Sequence, residues 1–119
     1  MTPSERTLRD LPRRYLASLD LLEAASQELK QHLDEATAAR SVVRRHLREG
    51  GDVGAFAQVI EPGLRSALSS ALDNFERARH HAQRQLFLLM RAEGFSMSAI
   101  GETWGISRQL VSRLINEPD

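Results

Sequence analysis

The stretch SMSAIGETWGISRQLVSRLI, residues 96 to 115, decides the reading of this chain. It divides into two short amphipathic segments around a glycine. Ser96 or Ser98 can cap the first segment as a helix by accepting a backbone N–H. Ile100 and Trp104 lie four apart and so share a helical face. Gly101 offers a small residue where a second helix must cross closely. Gly105 follows the last turn, where a left-handed backbone is needed and glycine adopts it at no steric cost. Ile106 is placed to plug the turn from inside, and Ser107 to cap the next helix. Leu110, Val111 and Leu114 then face inward. Arg108, Gln109, Ser112, Arg113 and Asn116 are left facing out. Trp104 is the one tryptophan of the chain, and it is expected to be buried between the helices of this module.

Upstream, glycine and proline punctuate the sequence. Neither occurs from Arg13 to Glu49, and neither from Leu64 to Glu93. Gly50, Gly51, Gly54, Pro62 and Gly63 cluster between these stretches. The layout predicts two long helices, a connector and a compact terminal module. Ala, Leu, Arg, Glu and Gln dominate, and no alternating β-branched run competes.

The first long segment carries a heptad pattern. Tyr15, Leu22, Leu29, Ala36 and Val43 form one seam, and Leu19, Ser26, Leu33, Arg40 and Leu47 the other. Ser26 and Arg40 interrupt the second seam, which argues against a long uninterrupted zipper. In the second segment Leu64, Leu68, Ala71, Phe75, Ala78, Ala82, Gln85 and Leu89 fall alternately three and four apart, and Leu72, Leu86 and Met90 widen the face. Such stripes must be covered. The expected fold is all-α: a long antiparallel helical hairpin over residues 1–75, followed by a C-terminal helix-turn-helix over residues 76–119. Val53, Phe56, Val59 and Ile60 in the connector are apolar enough to pack as a short helix. A two-helix hairpin buries few residues on two faces, so a homodimer through the helical part is expected.

Residues 97 to 116 resemble the helix-turn-helix of DNA-binding regulators, in the manner of resolvase and invertase C-terminal domains and of the promoter-reading domain of sigma factors. The matching features are Ile100, Gly101, Trp104, Gly105, Ile106, Val111 and Leu114, with the phrase ISRQLVSRL (106–114) placed as a recognition helix. The likeness extends over residues 83–116 if the segment from Gln83 to Glu93 supplies the third helix. Gly101 departs from the pattern, which usually has Ala there. No family is recognised for residues 1–75. The resemblance implies double-stranded DNA as partner. Arg108 can then donate two hydrogen bonds to guanine, and Gln109 can pair with adenine. Ser107, Ser112 and Arg113 suit phosphates, and Asn116 suits either. Arg84 and Arg91 lie seven apart on one face and are expected to line a phosphate track.

Formal net charge is zero, and Lys30 is the only lysine among 16 basic residues. Arginine suits phosphate and guanine, although a GC-rich genome gives the same bias. The basic run Arg40, Arg44, Arg45, His46 and Arg48 falls at the hairpin end away from the reader. There is no cysteine, which excludes disulfides and thiolate chemistry. Adjacent His80 and His81 diverge by about 100° on a helix and cannot share a metal. No metal, cofactor or enzymatic activity is expected. The opening MTPSERTLRD lacks an apolar signal core, and no apolar run reaches the roughly 20 residues that span a bilayer. A soluble cytoplasmic protein is expected. The leading expectation is a sequence-specific transcriptional regulator. The alternatives are a protein-interaction or scaffolding protein, or a sigma-like accessory factor acting within a larger complex.

Overall fold

The computed structural model describes residues 5–54, 57, 58 and 61–118, with side chains from Arg9 onward. These residues form four helices and no strand: α1 (Glu5–Arg48), α2 (Glu61–Ala92), α3 (Met97–Trp104) and α4 (Arg108–Ile115). The all-α architecture read from the sequence is the one observed, with α1 and α2 packed against each other. One boundary differs. The Gly- and Pro-free segment from Arg13 predicts a helix after Pro12, whereas α1 begins at Glu5 and runs through the proline. The ring fixes a φ that suits a helix, and the missing N–H removes one ladder bond. Leu11, beside it, is buried.

Contacts group the chain into two units. The first joins Met1–Leu22 to Ala78–Asp119, and the second is Glu23–Arg77. In the second unit the rest of α1 and the first half of α2 bury small side chains. Ala36 and Ala71 are both closed to solvent, with Leu29, Val43, Leu64, Leu68 and Phe75 partly covered around them. Small residues allow two helix backbones to approach closely, and that approach selects them over leucine. The connector's Gly54 N–H donates to Asp52 Oδ1 at 3.2 Å, and Ala57 N–H to the Val53 carbonyl at 2.9 Å. Val53 itself is exposed. Phe56, Val59 and Ile60, also expected to pack there, lie outside the described residues.

The seams follow the sequence in α2 and depart from it in α1. All eight α2 seam residues, from Leu64 to Leu89, are buried or half-buried. Leu72, expected to widen that face, is exposed. In α1 the seam from Tyr15 to Val43 is covered as expected. The second α1 seam is displaced by one residue. Ser18, Ala25, His32, Ala39 and His46 are the covered positions, while Leu19, Leu33, Arg40 and Leu47 are exposed. Starting from Tyr15, steps of four-then-three and three-then-four both continue a heptad. Hydrophobicity favours the leucine phase, and close helix approach favours the smaller one. Ser18 satisfies its hydroxyl within the helix, donating to the Tyr15 carbonyl at 2.6 Å.

Candidate nucleic-acid interface

The terminal module belongs wholly to the first unit. Its core is Phe87, Ile100, Val111 and Leu114, with Met90, Met97, Ile106, Leu110 and Ile115 packed around it. Phe87 and Met90 come from the end of α2, so the third helix of the module is the continuation of the hairpin arm. The end of α2 therefore serves two faces. Ala78, Ala82, Gln85 and Leu89 continue its hairpin seam, while Phe87 and Met90 belong to the module core.

The α3–α4 turn is built from local bonds. Ser96 Oγ accepts from the Ala99 N–H at 3.0 Å and caps α3. Gly105 sits at φ 68°, in the left-handed region, and Ile106 N–H donates to the Gly101 carbonyl at 2.9 Å. Ser107 Oγ accepts from the Leu110 N–H at 3.1 Å and caps α4. Gly101 is buried at the crossing. A Cβ there would meet the Ile106 carbonyl oxygen at 2.7 Å. That is closer than van der Waals contact, so the departure from Ala is a requirement of this turn.

Trp104 corrects an expectation. It is 45% exposed and not buried between the helices. It occupies the last turn of α3, where the core is closed by Phe87 instead. The two rings meet edge to face, with centroids 5.7 Å apart and an interplanar angle of 65°. Among the described residues the fully buried aromatic is Phe87.

The residues expected to read DNA fall into two groups. Ser107, Arg108, Gln109, Arg113 and Asn116 are exposed and Ser112 half-exposed, all on or flanking α4. Ser112 and Asn116 join through Asn116 Nδ2 donating to Ser112 Oγ at 3.3 Å. From Arg108 to Ile115 the helix carries two arginines and no acid. Val111, on the opposite face, is completely buried.

Arg84 and Arg91 do not form an exposed track. Arg84 is buried. Its Nε donates to the Leu114 carbonyl at 3.1 Å and its Nη2 to the Glu117 carbonyl at 2.6 Å. The guanidinium thus adds a side-chain donor to the Leu114 carbonyl in the last turn of α4, which also accepts from the Glu117 N–H at 3.4 Å, and reaches the Glu117 carbonyl just beyond that helix. Arg91 is exposed, and its Nη1 donates to the Phe95 carbonyl at 2.9 Å beyond the end of α2. Sequence reasoning missed the clamp that Arg84 makes. The available signal was its spacing: Arg84 lies three residues before Phe87 and shares its face. His80, one turn earlier, bonds Glu117 Oε2 through Nε2 at 2.7 Å. His32 lies between Glu35, at 3.1 Å, and Glu28, at 4.0 Å, on α1. Among the described residues no three His, Asp or Glu side chains are arranged to hold a metal, and no helix is long and apolar enough to cross a membrane. No family model matches the chain, and no curated protein or solved structure matches it either.

Proposed function

We propose that this chain binds double-stranded DNA in a sequence-specific manner, as a transcriptional regulator that inserts α4 into the major groove. The observation that supports this best is the division of α4 between its two faces. Val111 and Leu114 hold it to the core, while Arg108, Gln109 and Arg113 stand in water with no acid between Arg108 and Ile115. A recognition helix presents its first residues to base edges. Arg108 and Gln109 occupy that position, directly after the Ser107 cap. Arg108 would donate to guanine O6 and N7, and Gln109 would pair with adenine. Ser107, Ser112 and Arg113 would contact phosphates, which fix the register, and Asn116 would contact either a phosphate or a base. Arg91 remains a candidate phosphate contact. Arg84 leaves the contact set, because its donors meet backbone carbonyls.

Selection from a random oligonucleotide pool tests the reading and yields the site together. A recovered consensus is the expected result, and a pool with no enrichment would overturn it. Arg108→Ala should then cost about 1–3 kcal/mol on the selected site and relax preference at one base pair, a G·C. Arg113→Ala should weaken all sequences alike and lower the salt slope by about one phosphate contact. The panel is single-base variants of the site, measured at two salt concentrations. Uniform losses for both variants would remove Arg108 from direct reading.

We further propose that the chain acts as a homodimer. Leu16, Leu21, Leu33 and Leu47 on α1 and Leu72 on α2 are exposed, each between 44% and 61%. Large apolar side chains left in water on two long helices support a second copy as the cover.

A further inference from the structure

We propose that Arg84 is the positioning residue of α4, fixing the angle at which the helix leaves the module and thereby its selectivity between sequences. The inference rests on the DNA-binding reading for its consequence, but its geometry stands apart from that reading. A short helix held only by apolar contacts can rock on its core, because such contacts have no direction. Val111 and Leu114 supply contacts of that kind. Arg84 adds direction. Its planar guanidinium reaches one carbonyl in the last turn of α4, Leu114 O at 3.1 Å, and one two residues beyond the helix, Glu117 O at 2.6 Å. Charged donors to carbonyls make stronger bonds than neutral ones, and a fork fixes an orientation that a single donor does not. His80 ties the Glu117 side chain to the same helix at 2.7 Å. Both anchors stand on α2, one turn apart. The capping end of α4, at Ser107, is fixed separately by the turn. The helix is therefore held at both ends, and Arg84 sets the end that the turn does not reach.

Arg84→Gln and Arg84→Lys test the assignment on the full chain. Two readouts are needed. The first is amide hydrogen exchange at Asn116 and Glu117, compared with Ile100 in α3, whose amide bonds the Ser96 carbonyl. Loss of the fork should speed exchange at Asn116 and Glu117 roughly tenfold or more relative to Ile100, with Lys restoring part of the protection. The second is the ratio of affinities for the selected site and its single-base variants. A purely structural defect lowers the active fraction and scales every affinity equally, leaving this ratio unchanged. A helix set at the wrong angle lowers the ratio itself. Faster exchange together with a lowered ratio is the expected result. Unchanged relative exchange at Asn116 and Glu117 would overturn the clamp, and an unchanged ratio would overturn its role in selectivity. If Arg84→Gln is too unstable to measure, Glu117→Ala removes the His80 pair, leaves the backbone carbonyl that Arg84 meets, and should move both readouts the same way by a smaller amount. No movement of either in that variant counts against the proposal. Should the wild-type chain select no DNA, the function proposed above fails, and the exchange comparison alone decides whether Arg84 holds α4.

Discussion

A methyl group at position 101 would lie 2.7 Å from the Ile106 carbonyl oxygen, and backbone cannot swing aside as a side chain can. Elsewhere in a helix, replacing Gly by Ala gains about 1 kcal/mol through backbone entropy. Here the sign should reverse. Gly101→Ala should destabilise the module by about 1–3 kcal/mol, in the manner of other overpacked sites. Urea unfolding followed by circular dichroism measures it, and a stabilised variant would mean that the turn is not built this way. The two aromatics of the module should also fail unequally. Phe87 is fully buried, so Phe87→Ala should cost about 3–5 kcal/mol. Trp104 keeps 45% of its surface in water. Trp104→Ala should therefore cost clearly less, about 1–2 kcal/mol, once the core value is scaled for exposure. Equal losses at the two positions would contradict the packing described.

At the scale of the helices, α4 depends on its ends. Eight residues are too few to persist without tertiary support, since helix nucleation is unfavourable in short segments. Ser107→Ala should cost about 1 kcal/mol, and Ser107→Gly only a few tenths. Amide exchange should place that loss in α4 first. The seams were legible to different degrees. In α2 the seam residues and the observed interior coincide, with Leu72 beside the seam left exposed, because Leu64, Leu68, Phe75 and Leu89 admit one phase. In α1 two phases satisfy the same spacing from Tyr15, and burial of Ser18, Ala25 and Ala39 over Leu19 and Leu33 depends on a facing helix that the α1 sequence does not contain. Leu33→Ala should accordingly cost under about 1 kcal/mol in the isolated protomer, while Ala36→Leu should cost about 1–3 kcal/mol by overpacking. The module's turn was legible in its caps, its left-handed glycine and its inward aliphatic residues, which are local features, while the exposure of Trp104 was not, because Phe87 of α2 closes the core instead. Arg84 was not, because its partners lie 30 and 33 residues away in sequence.

The whole molecule combines zero net charge with a helix that presents arginines and no acid. On the DNA-binding reading proposed above, attraction to the polyanion would be local, and binding should be salt-dependent to the extent of a few contacts. The leucines exposed along α1 lead to the homodimer proposed above, whose mass can be read by light scattering at micromolar concentration. A monomeric mass would leave those side chains without a second copy to cover them. A two-fold dimer carries two readers, so the selected site should be an inverted repeat. Its half-sites should be spaced by about one helical turn of DNA, or a multiple of it. A single unrepeated half-site would separate DNA reading from dimerisation.

The indole of Trp104 is also an optical gauge. It is the sole tryptophan in the chain, so excitation beyond the tyrosine band addresses one place in the molecule. One part of the ring leans on Phe87 and another faces solvent, one residue from the glycine turn that leads into α4. Its emission should fall to the red of a fully enclosed indole, and iodide should quench it. Whatever comes to cover the module should shift that emission to the blue and shield it from the quencher. The protein thus carries its own unlabelled signal for occupancy beside the helix that would do the reading.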